Sequence, residues 1–381
     1  MRRNNILRSV LLGSFGLLIG YSHLVADELG REAYRSGLLP KSMDVNGSVN
    51  VTSQFSNQKN LQNEVLSSFN LLASMPMVGG KLNFFIEGNT SPSENGVAQT
   101  LQGSNADAGT AVNSKGQGRI QLSEFNYARS LKNSQLAIGL INPASFLDVS
   151  DIANDENIQF LSKQLINNAS IALPDYTLAF ALHHEPEKVL PGYTLFISSS
   201  HGLADTEDGS YVSLFEVTNK NKGVFSAVEF YQSYQVMRPR IGVWLKNVEQ
   251  YRKYGSYITV DGRINKLLWN TRFGIATSSA SVLASEVGRA ASLVVEYPVL
   301  NSQAGAGVAY LKASDKNVVS NVASSAENNA NSLQSEVYVR MRLNKRLHMT
   351  PSLQYFNNSV VNGNTSGENA LVANLRFGYE V

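Results

Sequence analysis

The chain has 381 residues, 43% of them hydrophobic, 9% aromatic and only 16% charged, with 32 basic residues against 30 acidic and no cysteine. That length suits one large fold or two domains, and the low charged fraction excludes a disordered, coiled-coil or nucleic-acid-coating chain. Balanced charge offers no basic surface to a phosphate backbone, and the missing cysteines exclude disulfide frameworks, zinc ribbons, thiol catalysis and iron–sulfur clusters.

Residues 1–26 carry Arg2, Arg3 and Arg8, then the apolar run Val10–Tyr21, and no acidic residue. This pattern reads as a secretory signal peptide cleaved after Ser22 or Ala26, because about a dozen apolar residues fall short of the roughly 20 that a membrane helix needs. Its removal takes three of the 32 basic residues and none of the 30 acidic ones, so 29 face 30 and the exported chain is electrically balanced. Residues 27–43, with Leu29, Tyr34, Leu38 and Leu39, are expected to form a periplasmic amino-terminal segment, either a short helix or an arm.

From residue 44 to 381 the dominant signal is alternation. In Asp44–Phe55, Val45, Val49, Val51 and Phe55 oppose Asn46, Ser48, Asn50, Thr52 and Gln54. Weaker alternating segments follow at Leu61–Met75, Lys81–Gly88, Gln135–Ile141, Tyr176–His184, Tyr193–Ser199, Val224–Gln232 and Ile241–Lys246. In Lys266–Ala276, Leu267, Trp269, Phe273 and Ile275 oppose Asn270, Arg272 and Gly274. Leu293–Tyr297 and Ala304–Lys312 come next. Ser335–Asn344 then sets Val337, Val339, Met341 and Leu343 against Glu336, Tyr338, Arg340 and Arg342. After Met349–Phe356 the chain closes with Ala370–Val381, where Leu371, Leu375, Phe377, Tyr379 and Val381 oppose Asn374, Arg376 and Glu380. Successive side chains of a strand point to opposite faces, so each segment presents one apolar and one polar face.

Alternation fits either a soluble barrel with an apolar core or a membrane barrel with an apolar exterior and polar lumen. Three features favour the membrane barrel. The segments occupy the whole exported chain. Tight connections such as Leu131–Ser134 and Asn344–Leu347 alternate with long polar ones at Asn89–Gly118, Asp315–Gln334 and Asn357–Asn369. The chain also ends inside a strand with aromatics on its apolar face. The expected fold is therefore all-β, a closed transmembrane antiparallel barrel with a polar lumen in the outer membrane of a Gram-negative cell. At about 22 residues per strand and connection, the exported chain makes about 16 strands. The two further strands are expected at Gly118–Ala128 and Tyr211–Thr218. Closure is required because unpaired backbone groups in hydrocarbon cost several kcal/mol each, and a barrel this wide keeps an aqueous channel.

The carboxyl-terminal stretches Met349–Asn358 (MTPSLQYFNN) and Ala370–Arg376 (ALVANLR) resemble the carbohydrate-selective porins of the OprB type. So do Gln135–Pro143 (QLAIGLINP), Phe146–Ser150 (FLDVS), Ala153-Asn154 and Gln159–Leu161 (QFL), which look like the passage from a strand into a loop in that group. Ala291–Ala313 looks like the paired strands before a large outer loop there. The chain departs from the family at Val381, where an aromatic usually ends the last strand, and at Asn357–Gly363, which lacks an Asn-Pro-Gly turn. The resemblance implies a 16-stranded outer-membrane channel admitting sugars. A homotrimer is compatible with porins of this size.

A pore selects by width, by hydrogen-bonding groups on its wall and by fixed charge. With the apolar faces in lipid, the pore-lining candidates are Arg272, Glu336, Arg340, Arg342, Asn374, Arg376 and Glu380, together with Asn270. Each is either a wall-stiffening member of a cross-strand pair or part of a field at the constriction, and Arg340, Arg342 and Arg376 are the best placed for the second role. In 145–168, Asp148, Asp151, Asp155 and Glu156 accompany Phe160, Leu161, Leu165 and Ile166 at helical spacing. That segment is either a short helix or loop folded into the lumen as a constriction, or an ordinary exposed loop. No catalytic elbow, phosphate loop, dinucleotide fingerprint or metal-spaced histidine pair occurs, so no enzyme activity, cofactor or metal is expected. Adjacent His183 and His184 would face opposite sides of a strand. Trp269, Tyr297, Tyr355 and Tyr379 are candidates for the aromatic girdles. The leading expectation is passive diffusion of small hydrophilic solutes, chiefly carbohydrates. The alternatives are a general or phosphate-type anion porin and a structural or adhesive surface barrel.

Overall fold

A computed structural model describes residues 43–381 apart from 102, 188–189, 207–210, 218–221, 250, 279–286, 314–330, 358–359, 362–363 and 366–368. The signal peptide, residues 27–42 of the amino-terminal segment and most of the connection 315–334 lie outside the described residues.

The strands in chain order are β1 (Asp44–Ser56), β2 (Glu64–Met77), β3 (Gly80–Asn89), β4 (Ile120–Leu131), β5 (Ser134–Ile141), β6 (Thr177–His184), β7 (Gly192–Ser199), β8 (Gly223–Tyr231) and β9 (Met237–Val248). They continue with β10 (Arg252–Ile264), β11 (Leu267–Ser278), β12 (Val287–Val299), β13 (Ser302–Ala313), β14 (Asn331–Arg342), β15 (Leu347–Asn357) and β18 (Ala370–Glu380). These sixteen form one closed antiparallel barrel, and β16 (Val360–Val361) pairs with β17 (Asn364–Thr365) in a small separate hairpin. Sealing is done by β1, which pairs with β2 on one side and with β18 on the other, Val51 opposite both Ser67 and Phe377.

Burial is inverted relative to a soluble domain. Val337 and Phe273 are 51% and 54% exposed on the outer surface, whereas Arg272 and Glu336 on the inner surface are each 1% exposed. This is the arrangement of a transmembrane outer-membrane barrel, in which lipid covers the apolar face and polar groups turn inward. Trp269, Tyr297, Tyr355 and Tyr379 all occupy outward positions near strand ends.

The connections sort by length onto the two rims. Four connections of two residues, at 78–79, 132–133, 265–266 and 300–301, lie on the rim where β1 begins and β18 ends. Lys132, Asn265 and Leu300 take positive φ at the first turn position of three of them, as twist-matched two-residue hairpins require. The opposite, outer rim carries the long loops 90–119, 142–176 and 200–222.

One of the expected strands is absent. Tyr211–Phe215 is a 3-10 turn within an outer loop rather than a strand, and the strand in its place is β10. Its alternation is muted because Ser256 and Gly262 interrupt the outward row Tyr254, Ile258, Val260 and Ile264, while Tyr257 adds an aromatic ring to the inward row. The other expected strand, at Gly118–Ala128, corresponds to β4.

Candidate functional site

The connection from β5 to β6, residues 142–176, does not remain at the rim but folds back into the barrel. Asn142 opens it by accepting the Ala144 N–H at 3.0 Å through its side chain, which caps the turn Pro143–Ser145. At Asp148 the backbone takes φ 59, turning the chain down toward the wall. The short helices α1 (Val97–Thr100) and α2 (Lys163–Ile166) belong to the two loops that enter the lumen.

Three charged side chains on the wall hold the inserted loop. Arg272 on β11 donates to the carbonyls of Leu165 at 3.1 Å, Asp148 at 3.1 Å and Ala153 at 2.7 Å, and its Nε lies 2.8 Å from the Asp148 carboxylate. Asp148 in turn accepts the Asn168 N–H at 2.8 Å and the Thr259 hydroxyl. Glu336 on β14 accepts the N–H groups of Leu161 and Ser162, the latter at 2.8 Å, at the start of α2. Arg376 on β18 donates to the carbonyls of Glu156 and Gln159, the second at 2.7 Å, and Asn50 on β1 donates to Asn157 at 2.5 Å. A buried charge requires partners, and here main-chain groups of the loop supply most of them.

Apolar packing completes the seat. Leu147 and Ile171 join Phe196, Phe225, Trp244 and Tyr257 of β7–β10, and Phe160, Leu165 and Ile166 join Val294, Ala309 and Tyr338 of β12–β14. Phe160 meets Tyr338 edge to face at 5.0 Å. The wall is cleared of side chains where the loop approaches most closely: a Cβ on Gly274 would fall 1.8 Å from Ser170 Oγ, and one on Gly307 would fall within 3.1 Å of Phe160. Loop 90–119 braces the arrangement through the Ala106 N–H donating to the Leu161 carbonyl at 2.8 Å and the Lys163 N–H donating to the Gly103 carbonyl at 2.9 Å.

The sequence-derived candidates thus divide. Arg272, Glu336, Asn374 and Arg376 turn inward, yet the first, second and fourth are covered by the inserted loop rather than by water, and Asn374 bridges Gln54 and Ser352 within the wall. Arg340 is half-buried and Arg342 exposed on the inner face of β14, and neither side chain makes a hydrogen bond or ion pair among the described residues. Glu380, exposed at the end of β18, lies 4.0 Å from His348. Register brings these groups onto one wall: Arg342 stands opposite His348, which with Gly378 between faces Asn50. His183 faces inward beside Thr194 and Tyr231, while His184 faces outward beside Ser134 and Tyr193.

Of the loop acids, Asp148 is buried in the Arg272 anchor, while Asp151 is exposed and pairs with Arg238 at 3.4 Å. Asp155 accepts the Asn157 N–H at 2.8 Å. Glu156 is half-buried beside Asp155, and loss of water together with that neighbouring carboxylate pushes its pKa up to about 8. Burial likewise raises Asp107 of the bracing loop to about 6, against the hydrogen bond it receives from Ser68 at 2.7 Å.

Residues absent from the sequence-derived set include Glu229, Arg240, Tyr257 and Asp261. Arg240 bridges the Glu229 and Asp261 carboxylates at 3.6 and 3.2 Å, Tyr257 donates to Glu229 at 2.8 Å, and Ser150 of the loop donates to Asp261 at 2.6 Å. Strand parity in β8 and β9 carried the signal for Glu229 and Arg240; Asp261 and Tyr257 needed β10 to be recognised first. Below the loop, on the short-turn side, lies a cavity of 630 Å³ whose polar lining includes Asn46, Asn83, Asn126, Gln135, Glu124 and His183, with Phe85, Phe146 and Tyr231 as aromatic surfaces.

No family model matches the chain. An uncharacterized protein of Aquifex aeolicus is 31% identical over 87 residues, 23% of this chain and 24% of that protein, so the match spans about a quarter of the relative's length. Among solved structures, OprB of Pseudomonas putida at high pH superposes with a TM-score of 0.60 at 10% identity, covering 92% of this chain and 97% of that one. The anion-selective porin from Comamonas acidovorans gives 0.55 at 10% identity, covering 89% and 99%. The trimer form of OmpT from Vibrio cholerae gives 0.54 at 10% identity, again covering 89% and 99%. At such identities the likeness is one of fold, and that fold is the sixteen-stranded porin barrel.

Proposed function

We propose that the protein is a passive channel for small hydrophilic solutes, chiefly carbohydrates, crossing the outer membrane. The observation that carries this reading is the inserted loop: 142–176 is tied to the inner wall by buried Arg272, Glu336 and Arg376, which narrows a lumen that sixteen strands would otherwise leave wide. Solutes move down their gradient past a lining of fixed polar groups, with neither nucleotide nor ion gradient required. Sugar preference is supported by the cavity beneath the loop, where side-chain amides suited to hydroxyl groups stand beside aromatic rings. A channel gated to sugars conducts ions stepwise in a planar bilayer, and oligosaccharide reduces that conductance.

A second reading, an anion channel, is favoured by Arg340 and Arg342, whose guanidinium groups stand on the lumen face without a described partner. It differs by giving an anion-selective reversal potential with no sugar block. Silence of the purified protein in both measurements rejects conduction and leaves a structural or adhesive barrel. We take the pore-lining set to be Arg340, Arg342 and Glu380, with Asp151 and Asp155 on the loop. Trimeric association accords with the assembly named for the Vibrio cholerae protein.

A further inference from the structure

The cavity beneath the inserted loop has a lopsided supply of hydrogen-bonding groups. Its volume of 630 Å³ falls within the roughly 300–1,000 Å³ of small-molecule sites. Space is left there because Ala128 on β4 and Ala137 on β5 stand opposite each other and turn inward with only a methyl group each. A β-bulge lies beside them. Where β3 meets β4 the register slips between Phe85 and Ile86, so that Phe85 stands opposite Glu124 while Ile86 stands opposite Leu122. The extra residue lets Ser123 and Glu124 both turn inward, Ser123 to Glu87 and Glu124 into the cavity. Strict alternation would send one of the two to lipid.

The donors of the lining are spent within the wall. Asn83 Nδ2 donates to Asn126 Oδ1 at 3.0 Å, and Asn126 Nδ2 donates to the Glu124 carboxylate at 3.0 Å. His183 is engaged by Thr194 at 2.9 Å and by Tyr231 at 2.8 Å. Arg240 is shared by Glu229 and Asp261, two carboxylates against one guanidinium, and Arg238 is taken by Asp151. Lys81, one inward position rimward of Asn83, is exposed and lies outside the lining. What the cavity offers a solute is therefore oxygen. The Glu124 carboxylate makes no ion pair, and Asn83 Oδ1 accepts no hydrogen bond, among the described residues. Asp44, exposed at the mouth, adds a further carboxylate.

We propose that this cavity takes amino sugars, a protonated amine of a short saccharide pairing with Glu124 while its rings lie on half-buried Phe85 and Phe146. An ammonium group brings three donors and no acceptor, the complement of a lining whose own donors are already used. Sugar hydroxyls donate to Asn83 Oδ1 and exchange hydrogen bonds with the amides of Asn46 and Gln135. The bond from ammonium to carboxylate is charge-assisted, and it strengthens where Phe146 and Val149 of the loop roof the cavity against bulk water. The assignment rests on the reading of this lumen as a sugar path, and it adds the charge of the preferred sugar.

The test uses the full chain in a planar bilayer, with the trisaccharide of glucosamine or its N-acetylated form added below neutral pH, where the free amine is protonated. The two share a ring skeleton and differ chiefly in charge. Wild type should be half-blocked by the amino form at a concentration lower by about tenfold or more, since a hydrogen bond to a charged group is worth at least that factor. The gap should narrow as salt is raised. Glu124→Gln should bring the two forms together, whereas Glu380→Gln, which removes a lumen carboxylate outside the cavity, should keep them apart. Equal block of wild type by the two forms, a gap indifferent to salt, or a gap retained in Glu124→Gln overturns the amino-sugar assignment. Block by the N-acetylated form in any of these outcomes leaves the sugar channel standing, and failure of both sugars to block wild type overturns the two readings together.

Discussion

Arg272 is where the wall and the inserted loop depend on each other most heavily. Arg272→Met keeps much of the side-chain volume but removes an ion pair to Asp148 and the hydrogen bonds to three loop carbonyls. It also leaves the Asp148 carboxylate, 1% exposed, with only the Asn168 N–H and the Thr259 hydroxyl. Breaking one side of a buried pair costs about 3–5 kcal/mol. The closed barrel has its own ladder of strand pairs, so that cost falls on the loop and shifts its detached fraction by on the order of 10²–10⁴. The expected outcome is a folded barrel whose heat-unfolding midpoint is lowered and whose single-channel conductance is larger and noisier. Asp148→Asn in the Arg272→Met background should recover part of the loss, because the stranded charge is gone, with a coupling of about 1–3 kcal/mol in the double-mutant cycle. Wild-type conductance and midpoint in Arg272→Met, or strictly additive effects in the cycle, would refute a loop pinned by this pair.

Gly274→Ala should destabilise by about 1–3 kcal/mol, since its Cβ would meet Ser170 Oγ, and Ser170→Gly should restore most of the lost midpoint. Glu156 and Asp107 retain protons in the folded loops that the unfolded chain has given up at its ordinary pKa values of 4.5 and 3.8. Their contribution is therefore complete below about pH 4 and lost as pH rises through about 6 and then about 8. The unfolding midpoint should fall between pH 5 and pH 8.5, and less so in Glu156→Gln; an unchanged slope in that variant removes Glu156 from the account. Charge reversal in Arg340→Glu, Arg342→Glu should move the reversal potential toward cation selectivity, and an unaltered permeability ratio would make both residues mere wall.

Much of the fold was legible because a strand in a membrane barrel encodes its environment at period two. Val337 and Arg340, or Leu375 and Arg376, are assigned to lipid or lumen by position alone, and the closing strand β18 was marked by its own aromatics. Strand β10 was harder because Ser256 and Gly262 weaken its lipid face and Tyr257 lies on the inner one; a wide lumen accepts an aromatic ring where a loop will cover it. The alternation placed Arg272, Glu336 and Arg376 on the inner face but not what meets them there. Arginine facing water and arginine holding a loop carbonyl have the same sequence signature. The difference lies in residues some 100 to 220 positions away along the chain.

Local sequence therefore determined which side of the sheet each residue occupies, because side-chain alternation is a property of neighbouring residues in one strand. Only the tertiary structure decided that 142–176 turns into the lumen and that Gly274 and Gly307 make room for it. Those facts depend on the register between strands and on the path of a loop. Both are set by summed contacts across the closed barrel, which no single segment contains.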